Sequence, residues 1–184
     1  MIRRVITMLA LCCATLAAAV PTAAQTSAVV PKPPVPDLSA LQFKVGTWTC
    51  TWQSSRRPTP LSATVTYNID PTGYWLLVES SSKGTTWFPY SSTSQDHITY
   101  DAKAKHWIDI ETDSLGGYDV SVSAGPVGNA WTWHDLSYDT YPDVAQTTDT
   151  IETKVSNSET TSTSSFTTAA GKTVTVTGSC TKTT

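Results

Sequence analysis

The sequence predicts an all-β protein, a single up-and-down barrel of about 8–10 antiparallel strands behind a short N-terminal helical turn. Short runs of alternating apolar and polar residues recur at hairpin spacing, separated by turn residues, and no amphipathic helix exceeds a few turns. Cys50 and Cys180 stand near the two ends of this strand-rich region. A disulfide between them predicts closure, because first and last strands become neighbours only in a barrel or a tightly closed sandwich.

The N-terminal segment predicts export to the periplasm or the cell exterior. Residues 1–24 begin with a basic pair, continue as an almost uninterrupted apolar run and end in small residues that suit a signal peptidase. We expect cleavage at the end of this signal peptide. Two alternatives are lipoprotein processing at Cys12 or Cys13, and twin-arginine export through Arg3-Arg4.

Residues 25–37 contain four prolines among small and polar residues, a composition typical of an extended tether, and the barrel domain is expected over 38–184. Without the signal peptide, ten basic residues face fifteen acidic ones, a net charge of −5. Nucleic acid is therefore not an expected partner, because it requires a basic footprint. No later segment reaches the ~20 apolar residues of a membrane-spanning helix. The oligomeric state is left open.

The strands are assigned from period-2 alternation. Asp37 caps a helical turn that ends at Gly46, and the first strand, residues 47–52, then places Trp48, Cys50 and Trp52 on one face. The other predicted strands are 63–69, 74–79, 97–101, 106–111, 118–122, one beginning at Asn129, 151–155, 160–166 and 173–181.

The most regular hairpin joins residues 97–101 to residues 106–111. Pairing Tyr100 with His106 places Ile98 opposite Ile108, and this register assembles an apolar face. The other face then carries Asp109 and Glu111 beside Trp107, either as a carboxylate pair or as a solvent-exposed surface.

The Ser/Thr-rich stretch 160–168 is compatible with a glycosylated stalk or with a threonine-faced strand. Phe166 and the alternation of Val174 and Val176 further along favour the strand.

Aromatic side chains dominate the expected inner faces and are the candidate ligand-binding residues. They either pack the core or line a pocket, with tyrosine hydroxyls and one histidine as polar groups. The candidates are Trp48, Trp52, Tyr67, Tyr100, His106, Trp131 and Trp133.

A second aromatic group, Trp87, Phe88 and Tyr90, lies in the connection after the third strand. A surface loop with such a cluster caps the barrel, acts as a ligand lid or contacts a partner protein.

Catalytic and cofactor motifs are absent from the sequence. It contains no Gly-x-Ser-x-Gly elbow, phosphate-binding glycine loop or His-Glu-x-x-His helix, and its three histidines fall on separate strands. We expect no cofactor and no metal site.

Several short motifs resemble bacterial lipocalin-like, calycin-type domains of unknown function. The motifs are Leu38-x-x-Leu41-x-Phe43-x-x-Gly46-x-Trp48, Gly73-x-Trp75-Leu76, Tyr100-Asp101, Ser114-Leu115-Gly116-Gly117 and Gly128-Asn129-x-Trp131. The resemblance implies a barrel with a cavity for a small apolar molecule and a tryptophan across its closed end. Lipocalins pair that tryptophan with an arginine near the last strand, where this chain has Lys172 and Lys182.

Three functions are consistent with these observations. The leading hypothesis is an exported, non-catalytic barrel that binds a small hydrophobic or aromatic molecule in its interior. The second is an envelope or extracellular module with a filled barrel that contacts protein or glycan. The third is an enzyme of unrecognised type.

Overall fold

The computed structural model describes residues 30–139 and 144–183. The chain divides into two units, Met1–Pro33 and Pro34–Thr184. The expected signal peptide lies outside the described residues, and of the first unit only residues 30–33 are described, without regular secondary structure. In the described residues no helix is long and apolar enough to cross a bilayer.

The second unit contains one 3₁₀ helix, Ser39–Lys44, where the sequence predicts a helical turn. Eleven strands follow within the described residues. They are β1 (Gly46–Ser54), β2 (Leu61–Ile69), β3 (Leu76–Ser82), β4 (Ser92–Asp101), β5 (His106–Asp113), β6 (Tyr118–Ser123), β7 (Ala130–Asp139), β8 (Val144–Thr147), β9 (Thr150–Lys154), β10 (Glu159–Thr168) and β11 (Thr173–Lys182).

Ten of the strands form a closed antiparallel barrel in the order β11-β1-β2-β3-β4-β5-β6-β7-β9-β10, and β10 pairs with β11 to complete the ring. The predicted all-β barrel is therefore confirmed. The additional strand, β8, has no counterpart in the sequence prediction and pairs only with the end of β10. The Ser/Thr-rich stretch forms β10 and so belongs to the wall.

The wall follows the alternation expected of strands with one face toward a core. In β1, Trp48 and Cys50 are buried while Thr49 and Thr51 are exposed. Threonine suits such an outer face because it combines strand propensity with a polar surface.

The 3₁₀ helix covers one end of the barrel, which we call the closed end. Leu41 is fully buried there, and the indole Nε1 of Trp48 donates a hydrogen bond to the carbonyl oxygen of Lys44 at 2.6 Å. The apolar core extends from this end through Leu76 and Trp107.

A lysine of the last strand contacts the closed end of the barrel. The Nζ atom of Lys182 lies 5.5 Å from the centroid of the Trp48 ring and donates to the carbonyl oxygen of Phe43 at 2.9 Å. The ammonium group thus contacts both the tryptophan and the helix that covers it.

The expected register of the β4–β5 hairpin is wrong by one residue. Asp101, not Tyr100, faces His106, and Tyr100 faces Trp107. Because side chains alternate along a strand, this shift moves every β5 side chain to the opposite face. Ile110 is therefore exposed.

The turn explains the register. The Asp101 carboxylate accepts hydrogen bonds from the backbone amides of Lys103 and Ala104, at 2.8 and 3.0 Å. Lys105 adopts a positive φ of 58° and donates its N–H to the carbonyl oxygen of Asp101 at 2.7 Å. Because Asp101 caps this turn, it is itself paired with His106, and the loop between the strands is residues 102–105. The register predicted from the apolar pattern would have given a loop one residue longer.

The disulfide forms as expected, between Cys50 and Cys180, which face each other directly in the β1–β11 register. Their Cα atoms are 4.0 Å apart, and the bond links positions separated by 130 residues. It therefore joins the two strands where the ring closes.

Replacing both cysteines by alanine should lower the free energy of unfolding by up to about 4–5 kcal/mol, because the crosslink restricts a very long loop of the unfolded chain. Guanidinium unfolding followed by tryptophan fluorescence checks this for the double variant and the oxidised wild type. Coincident curves would show that strand pairing alone accounts for closure.

Candidate functional site

Two cavities lie inside the barrel. We call the one at the end opposite the 3₁₀ helix the mouth cavity and the one between it and the core the central cavity. Their volumes are about 340 and 250 Å³. The indole of Trp52 belongs to the walls of both.

The mouth cavity has a mainly apolar wall. Strands β1, β2, β10 and β11 supply inward side chains, and the loops after β1 and β3 supply the rest. The lining residues are Trp52, Ser54, Arg56, Arg57, Leu61, Trp87, Phe88, Phe166 and Val176.

The loop after β3, which carries Trp87 and Phe88, forms part of the wall of this cavity. The Nε1 of Trp87 donates to the carbonyl oxygen of Thr59 at 3.0 Å, which ties the loop after β3 to the loop after β1. The amide of Phe88 donates to the Thr85 hydroxyl at 3.0 Å. Trp87 and Phe88 thus form part of the cavity wall, whereas Tyr90 remains 61% exposed.

Two arginines border the mouth. The guanidinium of Arg57 lies 4.8 Å from the centroid of the Trp87 ring, and that of Arg56 lies 5.1 Å from the centroid of Phe166. Each guanidinium lies over an aromatic ring of the wall, where cation–π attraction is favourable.

The Trp52 indole packs directly against the backbone of a glycine, which has no side chain to occupy this space. Gly178 faces Trp52 across the β1–β11 ladder, and a Cβ atom at this position would lie 2.2 Å from the Ser162 Oγ and 2.8 Å from Cδ1 of the indole. A larger residue at position 178 would displace the side chain that both cavities share.

The central cavity is acidic. Six carboxyl groups and one lysine line it, together with three aromatic rings and several small polar side chains. The charged residues are Lys44, Asp96, Asp109, Glu111, Asp119, Asp135 and Glu152, and the rings are Trp52, Tyr67 and Trp133.

Strand register places three of these carboxyl groups side by side. Asp96 on β4 faces Glu111 on β5, and Glu111 faces Asp119 on β6. Directly opposite side chains on one face have Cβ atoms about 4.5–5.5 Å apart, a distance at which like charges repel. Asp109 lies one row nearer the core, opposite Ser121.

One charge pair balances part of this acidity. The ammonium of Lys44 is buried and forms an ion pair with Glu152. It also lies 5.1 Å from the centroid of the Tyr67 ring. Burial lowers the pKa of Lys44, but the charge of Glu152 and its hydrogen bond with the ammonium outweigh this, so that the pKa is raised overall.

Burial also changes the ionisation of the remaining carboxyl groups. Loss of hydration, reinforced by the charge of Glu111, raises the pKa of Asp96 to about 9 and that of Asp109 to about 7. Burial together with Asp135 raises the pKa of Asp119 to about 7. These groups therefore bind protons near neutral pH.

Two carboxylate oxygens in this cavity lack hydrogen-bond partners. The Oδ1 atoms of Asp109 and Asp119 are buried, and no donor in the described part of the chain reaches them. Buried polar atoms in proteins are nearly always paired, so these two acceptor atoms are exceptions within the cavity wall.

The seven candidate ligand-binding residues are distributed unevenly. Trp52 lines both cavities, and Tyr67 and Trp133 line the central cavity. The remaining aromatic candidates pack elsewhere: Tyr100 and Trp131 contact Trp107 at centroid distances of 5.5 and 5.2 Å.

Trp48 and His106 also lie away from both cavities. Trp48 is buried at the closed end. The expectation that His106 shares the inner apolar face is wrong, because the observed register turns Trp107 inward in its place.

Sequence reasoning missed the acidic row because it assigned β5 to the wrong face. Asp109 and Glu111 share a strand face with Trp107, and a tryptophan on that face is a signal for the interior. The pairing of Asp101 with His106 follows from the turn-capping aspartate and would have turned all three inward.

The described residues contain no group of three or more His, Cys, Asp or Glu side chains arranged to hold a metal ion. His134 contacts Asp149 at 2.7 Å, and both side chains are about half exposed. On the outer surface of β2–β5 lies a polar groove of about 540 Å³, lined chiefly by hydroxyl side chains and Glu79.

Comparisons with known proteins bear on the fold alone. No family model matches the chain, and no curated protein is significantly similar to it. The barrel is similar to that of Rv2717c from M. tuberculosis, with 10% sequence identity, a TM-score of 0.54 and coverage of 79% of this chain and 98% of that chain. This likeness shows a shared fold, a closed antiparallel barrel with very little helix.

The S-type phycobiliprotein lyase CPES from Guillardia theta is a more distant similarity. Its identity is 8% and its TM-score 0.46, over 79% of this chain and 92% of that chain. A TM-score at this level does not establish a shared fold.

The stability of the protein should fall as pH rises from about 4 to about 9. Asp96, Asp109 and Asp119 have folded-state pKa values above the usual 3.8, so the folded chain binds more protons than the unfolded chain in this interval. Their contribution is complete below about pH 4 and is lost as pH passes through about 7 to 9. Thermal unfolding at a series of pH values measures it.

An Asp96→Asn variant provides the specific test. It should be more stable than wild type at about pH 9, by at least about 1 kcal/mol, since one pKa unit corresponds to about 1.4 kcal/mol. Glu79→Gln, at an exposed position on the outer face, should keep the wild-type profile. A wild-type profile that is flat over this interval would contradict the assignment.

Proposed function

We propose that this chain is an exported lipocalin-like barrel that binds a small hydrophobic or aromatic molecule without transforming it. The observation that carries the proposal is the mouth cavity, about 340 Å³ in volume, with a wall formed mainly by Trp52, Leu61, Trp87, Phe88 and Phe166. Small-molecule sites are concave and mostly apolar with a few polar groups, and this cavity has that composition.

The loop geometry supports the same function. Trp87 and Phe88 approach the barrel from the loop after β3, while Phe166 and Val176 belong to the wall itself. A ligand in this position would contact both rigid strands and a loop whose displacement opens the cavity. The hydrogen bond from Trp87 to Thr59 would hold the loop in the closed position.

Export is supported by the N-terminal pattern of residues 1–24 and by the disulfide, since disulfides persist mainly outside the cytoplasm. Native mass spectrometry of protein recovered through a secretion route tests export and binding together. The expected species lacks residues 1–24 and carries a small molecule that is lost on denaturation. A full-length chain would contradict export, and a mass that stays free of ligand after exposure to aromatics and lipids would favour the interaction module.

Trp87→Ala and Phe166→Ala should each weaken binding of the neutral probe tryptophol by about tenfold, because each removes a large aromatic contact from the cavity wall. Isothermal titration calorimetry measures the affinities.

Trp75→Ala is the matched control. Trp75 is also half-buried but packs against His97, with centroids 6.0 Å apart, and lines neither cavity. Equal effects of the three substitutions would indicate a general loss of stability and would argue against the mouth cavity as the site.

A further inference from the structure

The central cavity is acidic. The function proposed above, in which a neutral molecule binds in the mouth cavity, gives this acidic cavity no role. Among the described residues, six carboxyl groups face it and Lys44 is the one side chain there with a positive charge. Lys44 is already paired with Glu152. Five carboxyl groups are therefore left without a cationic partner within the cavity wall.

This arrangement works against folding. Asp96, Glu111 and Asp119 occupy directly opposite positions on three adjacent strands, so their ionised forms repel one another and destabilise the sheet. Burying a carboxylate without a partner carries a further cost. Where a sequence departs from the rules that favour its own fold, the departure commonly coincides with a functional site.

A second observation points to a ligand. The Oδ1 atoms of Asp109 and Asp119 line the cavity, are buried and have no hydrogen-bond donor among the described residues. An ammonium group carries three donors, which suits such acceptors.

The aromatic part of the wall suits the same partner. Trp52, Tyr67 and Trp133 face the cavity together with the carboxyl groups. Carboxylates combined with aromatic faces attract an organic ammonium through both ion pairing and cation–π contacts.

We propose that the central cavity binds the protonated amine of a small organic cation whose apolar or aromatic body lies in the mouth cavity. Trp52 belongs to both walls, so the two cavities are adjacent, and a ligand that extends past this indole would contact both. This inference rests on the proposed function, because the body of the ligand uses the mouth cavity. It specifies the ligand class as amphiphilic amines.

Amine binding should be coupled to pH. An ammonium group favours the ionised carboxylates, so binding releases protons from groups whose pKa is raised when the cavity is empty. Affinity should therefore rise between about pH 6 and pH 8, where Asp109 and Asp119 lose their protons. The ionisable groups that face the cavity from all surrounding elements are Lys44, Tyr67, Asp96, Asp109, Glu111, Asp119, Asp135 and Glu152.

The test uses three indole probes of similar size and different charge: tryptamine, tryptophol and indole-3-propionate. Calorimetric titration of the full disulfide-bonded protein at about pH 8 should show tryptamine binding at least about tenfold tighter than tryptophol, since a charge-assisted hydrogen bond exceeds a neutral one by this amount or more. Repeating the titrations in buffers of different ionisation enthalpy measures the protons released on binding. Tryptamine should release protons, whereas tryptophol and indole-3-propionate should not.

Asp109→Asn and Asp119→Asn preserve side-chain shape and remove the charge. Each should reduce the preference for tryptamine over tryptophol by about tenfold while tryptophol affinity stays unchanged, which also shows that the variant is folded. Glu79→Gln, on the outer face, should bind both probes as wild type does.

The failures of the two proposals are distinguishable. Equal binding of tryptamine and tryptophol, or tighter binding of indole-3-propionate through the arginines of the mouth, would overturn the amine proposal and leave the mouth cavity as a binding site. If none of the three probes binds, both proposals fail for aromatic ligands of this size. A tryptamine preference that survives both substitutions would also overturn the assignment.

Discussion

The pairing of β1 with β11 is the constraint on which the rest of this structure depends. Without it, the antiparallel sheet would be open and would have two edge strands. With it, the sheet is a ring in which each barrel strand is hydrogen-bonded to a neighbour on both sides. The Cys50–Cys180 disulfide lies in the middle of this pairing, with the two residues directly opposite each other. Only after closure does the structure have an interior in which one face of each strand is removed from water.

That interior is organised along the barrel axis. The 3₁₀ helix, Trp48 and Lys182 seal one end, and an apolar core fills the space next to it. Carboxyl groups then occupy the middle, and aromatic side chains from strands and loops surround the mouth. The aromatic zone and the acidic zone are therefore neighbours along the axis, and Trp52 borders both.

Much of the fold was predictable because it depends on local pattern. The strands follow from alternation, and closure follows from two cysteines on apolar faces near the chain ends. The candidate site was less predictable, since Trp52, Tyr67 and Trp133 reach a cavity whereas Tyr100 and Trp131 pack around Trp107. Both groups alternate in the same way along their strands, and only the depth of each residue in the barrel distinguishes them.

By itself, the sequence determined the fold class, the disulfide and the inward position of the aromatic side chains of β1, β2 and β7, because period-2 alternation is a property of each strand alone. The tertiary structure decided which face of β5 is inside, because register depends on the turn at Asp101 and on the neighbouring strand. It also decided that Asp96, Glu111 and Asp119 stand in one row. These residues lie on three strands, and no local pattern links positions that meet only through cross-strand pairing.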